Sequence, residues 1–86
     1  MIYWVYVLES LSNKSRYVGS THDVPHRLDQ HNAGLYPATK EHGPWRMIHE
    51  EEHPTRTSAI RREEFLKTGR GKDVLKRLMR AGKPKT

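Results

Sequence analysis

The sequence predicts a single α+β domain: a small, mainly antiparallel three-stranded sheet flanked by about three helices, in the order β-β-α-β-α-α. Three observations carry this expectation. The longest apolar run, Tyr3-Trp4-Val5-Tyr6-Val7-Leu8, is followed by a polar turn and a short return segment. Residues 23–34 open on a capping aspartate with a proline behind it and close on a glycine. From residue 54 onward, apolar residues recur at helical spacing in a stretch where cations outnumber acids. A chain of 86 residues has room for one core and no second domain, so the domain is set at residues 1–82 and residues 83–86 are assigned to a basic C-terminal tail.

The first strand is placed at Ile2–Glu9, where a continuous apolar run suits a strand covered on both faces. Ser10 to Ser15 supply turn residues, and Arg16–Ser20 returns as the second strand. The register of this hairpin decides what its tyrosines mean. If paired residue numbers sum to 25, Tyr6 faces Gly19, Leu8 faces Tyr17, and Tyr6 and Tyr17 are diagonal neighbours on one face. An even sum puts them on opposite faces, and the residues alone leave both open.

Asp23-Val24-Pro25 starts the first helix, with a capping carboxylate and a proline where its missing N–H costs nothing. It runs to Ala33, with Gly34 in the left-handed stop position. Val24, Leu28 and His31 form one stripe, and Arg27 and His31 are i, i+4 neighbours able to border one cleft. An irregular connection broken by Pro37, Gly43 and Pro44 leads to a third strand at Trp45–His49, from which Glu50-Glu51-Glu52 is expected to emerge into solvent. A second helix is placed at Ser58–Thr68. Gly69 and Gly71 interrupt, and a third helix over Lys72–Arg80 presents Val74, Leu75, Leu78 and Met79.

Mean hydropathy is −0.95, so a thin core and a highly charged exterior are expected. There is no cysteine, which removes disulfide scaffolds, thiolate zinc sites and cysteine nucleophiles together and is compatible with a reducing compartment. With no long apolar segment and no basic leader before Tyr3, neither a membrane span nor a signal peptide is expected, and the setting is read as cytoplasmic. The net charge of +6 is unevenly spread. Residues 1–53 hold five Lys/Arg against seven Asp/Glu, and residues 54–86 hold eleven against three. That asymmetry suits a polyanionic partner, although a solvated helical face gives the same count.

Few residues are placed to do chemistry. Glu63 has Ala59, Ile60 and Leu66 at helical neighbour positions, so it lies on or beside the inward stripe, where a carboxylate needs a cation, a donor or a metal. It equally reads as a rim glutamate paired with Lys67 at i+4. Arg27 either stacks its stem on the sheet or offers its guanidinium to a phosphate. His22, His26 and His31 do not share a helical face, because His22 precedes the cap, so structural zinc is not expected. Gly69-Arg70-Gly71 lies between helices and is no phosphate loop.

In their order and spacing, Tyr6, Tyr17-Val18-Gly19, Arg27, His31-Asn32 and Glu63 resemble the GIY-YIG nuclease domain, over almost the whole chain. The first motif of that family falls on Trp4-Val5-Tyr6, where only the tyrosine is kept, and the second on Tyr17-Val18-Gly19, with valine for isoleucine. The chain looks most like the family's small stand-alone bacterial members. It departs from many repair members at Ser20-Thr21, where they carry a lysine, and from near relatives at Ala38-Thr39, where a tyrosine precedes the threonine. The resemblance implies an endonuclease that hydrolyses phosphodiester bonds of nucleic acid, DNA ahead of RNA, with one Mg²⁺ or Mn²⁺ held by Glu63. It implies Tyr6 as general base with its pKa lowered by nearby cations, and Tyr17 as orienting group. Arg27 would stabilise phosphoryl charge, and His31 would be an acid/base or phosphate donor. Backbone phosphates would meet Arg27, Arg61, Arg62, Lys67, Arg70 and Lys72. The alternatives are a nucleic-acid-binding module of the same fold with weak or lost catalysis and, behind it, a protein-interaction domain.

Overall fold

An apolar run with both faces to bury needs cover on both sides, and β1 (Tyr3–Ser10) has it as the middle strand of the sheet β2-β1-β3. The computed structural model describes residues 1–81; the basic tail expected at 83–86 lies outside them. β2 (Arg16–Thr21) and β3 (Trp45–His53) both run antiparallel to β1. Tyr6 pairs with Gly19 and Leu8 with Tyr17, which is the odd register. The connecting turn closes with the Ser10 N–H donating to the Ser15 carbonyl (2.8 Å), and Lys14 takes a positive φ of 66°. Buried Ser10 donates its hydroxyl to the His42 carbonyl (2.6 Å), pinning this end of the hairpin to the loop before β3.

α1 (Val24–Asn32) begins as the sequence indicates: Asp23 accepts the His26 N–H at 3.1 Å. Beyond its end Gly34 has φ 79°, the left-handed stop. Asn32 then ties the helix to β3, donating to the Trp45 carbonyl (3.1 Å) and accepting the Trp45 N–H (2.6 Å).

The later elements depart from expectation. β3 continues through His53, and its alternation exposes Glu50 and Glu52 while Glu51 turns inward to Arg62, so only part of the acidic run faces solvent. α2 is Arg56–Leu66, displaced toward the N-terminus because Thr55, not a later serine, caps it by accepting the Ser58 N–H (3.1 Å). α3 is Gly69–Ala81, so the two glycines do not interrupt a helix; they lie in its first turn. Thr68 caps it through the Gly71 N–H (3.0 Å), and a Cβ on Gly71 would stand 2.6 Å from the Leu66 Cα. Only glycine lets α3 start this close to the end of α2. Leu78, expected on the inward stripe, is 36% exposed.

The alternation of β1 splits the core in two. Val5, Val7 and Val18 pack with Ala59, Leu66 and Leu75 of α2 and α3. Tyr6 and Leu8 pack with Val24 and Trp45 on the α1 side. The helices carrying Arg27 and Glu63 therefore cover opposite faces of the sheet, so Glu63 is not on the face that Arg27 and His31 border.

Candidate active site

Tyr6 lies across Gly19. A Cβ at that glycine would be 2.5 Å from the Tyr6 hydroxyl and 2.7 Å from Cζ, so the ring occupies the space a side chain would fill. Because the register is odd, Tyr17 stands diagonally beside it on the same face, with ring centroids 6.3 Å apart. His31 reaches between them from α1. It is 2% exposed, and its ring lies 5.9 Å from Tyr6, 4.9 Å from Tyr17 and 4.7 Å from Tyr36.

The hydrogen bonds form one chain: His31 Nδ1 is 2.8 Å from the Thr39 hydroxyl and Nε2 is 2.9 Å from the Tyr6 hydroxyl. In the tautomer with the proton on Nδ1, Thr39 accepts and Nε2 is left to accept from Tyr6. Burial, reinforced by the Arg27 charge, lowers the His31 pKa and keeps the imidazole neutral. Burial and then the neighbouring Tyr17 push the Tyr6 phenol above its ordinary value of 10.0, and Arg27 only partly offsets them. The expected lowering of Tyr6 by cations is thus reversed, because desolvation outweighs one guanidinium.

Arg27 is half-buried, with its guanidinium carbon 5.3 Å from the Tyr36 ring centroid, a cation–π contact. Its guanidinium lies over an aromatic ring and its charge is felt at both Tyr6 and His31.

Glu63 approaches around the exposed edge of β2. One oxygen accepts from the Ser20 hydroxyl (2.8 Å) and the other from the Lys67 ammonium (2.8 Å). Both sequence readings of Glu63 hold in part: it is paired at i+4, and it is also turned onto the sheet, with its side chain 19% exposed. Its charge adds to the upward push on Tyr6. Tyr6, Tyr17, Arg27 and His31 form one contiguous cluster, with Glu63 beside it across the strand edge. An oxygen set of one carboxylate with a neighbouring hydroxyl suits Mg²⁺ or Mn²⁺, which keeps several waters and is completed by a substrate phosphate. Among the described residues no group of three or more His, Asp or Glu gathers to form a fuller cage.

Around that edge runs an open groove of about 530 Å³. Val18, Leu66 and Leu75 form its apolar floor, Tyr17 stands at the active-site end, and Lys14, Arg16, Lys67, Lys72 and Lys76 line it. Lys67 and Lys72, expected to meet backbone phosphates, line this groove together with Lys14, Arg16 and Lys76, which the sequence did not single out. Arg61 and Arg70 are exposed but do not line it. Arg62 is a correction. It gives two bonds to Glu51 (2.8 and 3.0 Å) and sits over Phe65, so its charge is already matched inside the fold. Burial alone would raise the Glu51 pKa, but Arg62 and His49 outweigh it and bring it to about 2.

Thr39, Ser20, Tyr36 and Gly19 complete the site and were not singled out as site residues. Ser20 was accessible from strand parity, since it shares the Val18 face; Thr39 and Tyr36 lie in an irregular loop where no periodicity points.

Comparison with known proteins identifies the family. Residues 2–78 match the family model described as the GIY-YIG catalytic domain. The chain is 36% identical over 66 residues to a UPF0213 protein of Syntrophus aciditrophicus, covering 74% of this chain and 75% of that one. It is 37% identical over 67 residues to a UPF0213 protein of Haloquadratum walsbyi, covering 77% and 74%. Its fold resembles the solution NMR structure of the UPF0213 protein of Bacillus halodurans with a TM-score of 0.56 and 33% identity, over 91% of this chain and 85% of that one.

Proposed function

Since this chain belongs to the GIY-YIG catalytic-domain family, among its UPF0213 members, we propose that it is a metal-dependent endonuclease that hydrolyses phosphodiester bonds of nucleic acid, DNA ahead of RNA. The observation that carries the reading is the Tyr6–His31–Thr39 chain of hydrogen bonds beside Arg27 and Tyr17. A buried phenol that resists ionisation is a poor base alone. Tyr6 becomes an effective one by passing its proton to neutral His31 Nε2 as it accepts a proton from the attacking water. The resulting hydroxide adds to phosphorus, the bond to the leaving oxygen breaks and that oxygen takes a proton from solvent water; Thr39 holds the His31 ring while it is charged, and His31 then releases its proton to solvent. Arg27 offsets charge on the non-bridging oxygens, and Tyr17 orients water or phosphate. Glu63, with Ser20 beside it, would hold the Mg²⁺ or Mn²⁺, whose chemistry is to polarise the phosphate and shield the leaving oxygen. The groove cations contact backbone phosphates without reading sequence. The setting assigned is the cytoplasm; among the described residues no helix is long and apolar enough to cross a membrane.

Nicking of supercoiled plasmid with Mg²⁺ or Mn²⁺ tests this. Activity is expected to vanish with EDTA and in Glu63→Ala, and to fall by about 10²–10⁴ in Tyr6→Phe, the usual range for one acid/base group. Full activity in Glu63→Ala removes the metal assignment, and an unchanged rate in Tyr6→Phe removes the base. Because both Glu63 oxygens are already hydrogen-bonded, a binding module with dormant catalysis is the second reading. Oligonucleotide binding with no nicking under any divalent ion selects it.

A further inference from the structure

Lys67 belongs to two environments. Its ammonium donates to Glu63 at 2.8 Å, and its side chain, 51% exposed, lines the basic groove. Glu63 cannot give that oxygen fully to a cation while an ammonium occupies it. Yet the link between them is an i, i+4 pair at the surface, a type of contact that is weak and easily exchanged. The groove supplies the competitor. Its ionisable lining is all cationic apart from the Tyr17 phenol, so a phosphate chain entering it meets Lys14, Arg16, Lys72 and Lys76 with no carboxylate among the lining residues to repel it. Lys67 then has phosphate oxygens within its swing as well as Glu63.

We infer that Lys67 is a latch on Glu63: a nucleic-acid backbone in the groove draws its ammonium off the carboxylate and so opens the divalent-ion site only when substrate is present. This rests on the assignment of Glu63 as the metal ligand. By linkage, the ion and the nucleic acid each strengthen the binding of the other. Ser20 stays as the second partner of Glu63 and keeps the carboxylate aimed while Lys67 leaves. Lys67 is here a positioning residue, acting through Glu63.

The readout is Mn²⁺ binding, followed by paramagnetic broadening of the Ser20 and Glu63 amide signals in NMR spectra of the full chain. It is measured with and without a nuclease-resistant phosphorothioate oligonucleotide. In the wild type, the oligonucleotide is expected to lower the Mn²⁺ concentration needed for half-broadening. In Lys67→Met, without oligonucleotide, that concentration is expected to fall by roughly two- to fivefold, the range set by one exposed ion pair. The oligonucleotide should then add little. Lys67→Arg keeps an ammonium-like donor and is expected to follow the wild type. Lys72→Met removes an equal charge from the same groove without touching Glu63, and should leave the oligonucleotide-free curve in place. Equal Mn²⁺ curves for wild type and Lys67→Met overturn the latch, as does an equal gain in Lys72→Met, which makes the effect one of general charge. If no protein broadens at Ser20 and Glu63 even with oligonucleotide, the metal assignment itself falls and takes the latch with it.

Discussion

Gly19 and His31 fix where the Tyr6 hydroxyl sits, one by having no side chain and the other by its hydrogen bond to that hydroxyl. Gly19→Ala puts a methyl 2.5 Å from that hydroxyl, so the ring must shift and the bond to His31 breaks. The expected result is a loss of about 100-fold in nicking rate, as for an ångström-scale misplacement of a catalytic group, with a stability cost of about 1–3 kcal/mol. Oligonucleotide affinity, measured by fluorescence anisotropy, should be unchanged because the groove lies beyond Tyr17. Unimpaired nicking in this variant contradicts the role given to Tyr6. The His31 pKa makes a separate prediction. Its role needs the neutral ring, and its pKa lies below the ordinary 6.5. The nicking rate should therefore hold as pH falls through 6.5 and decline only below it. A rate already halved at pH 6.5 points to an imidazole that is not desolvated.

β3 and α2 are joined by an ion cluster that the sequence pattern did not reveal. Three successive glutamates read as a solvated run, but strand alternation turns the middle one inward, where Arg62 gives it two bonds and His49 another. The folded Glu51 pKa of about 2 lies below its ordinary 4.5. A depressed carboxylate contributes stability that is complete above pH 4.5 and is lost as pH falls through about 2. Glu51→Gln should lower stability at neutral pH by about 2 kcal/mol, the scale of a charged hydrogen-bond pair. The melting temperature would fall by roughly 10 °C in a domain of this size. The gap to the wild type should narrow on acidification from pH 4.5 toward 2, as followed by thermal melts across pH; a gap constant over that range removes Glu51 as its cause. The same cluster explains why Arg62, basic and on a basic helix, is not available to a polyanion. Charge counts along a chain register cations; they do not register which cations the fold has already matched.

Across the whole molecule, the acid and basic parts of the chain lie at opposite edges of the sheet. Exposed Glu50 and Glu52 are on β3, and the cationic groove runs beside β2. If all five groove cations meet phosphates, the slope of log affinity against log salt should be about −3.5 on a single strand and about −4.5 on duplex. Lys72→Met should reduce it by roughly 0.7–0.9. An affinity insensitive to salt rules out the groove as the contact surface.

Much of this architecture was legible in the residues. The apolar run of β1, the Asp23–Pro25 start and the Gly34 stop each impose local geometry that tertiary packing did not override. Tyr6, Tyr17, Arg27 and His31 were singled out through the resemblance to the GIY-YIG domain, and the observed register puts the two tyrosines on one face. Register itself, the Thr39 acceptor and the start of α3 were not legible, because each depends on a partner distant in sequence. Gly71 is the plainest case: its meaning is the Leu66 backbone across the corner, and no window around residue 71 contains that information.

The two halves of the core have one further consequence. Tyr6 and its partners are held by the cluster on the α1 side, and Glu63 by the cluster under α2 and α3, with only the β2 edge between them. A chain that keeps only one half holds either the tyrosine–histidine pair or the lone carboxylate. Under the proposed function, cutting therefore requires both halves to be in place at once, and damage to either one would silence it.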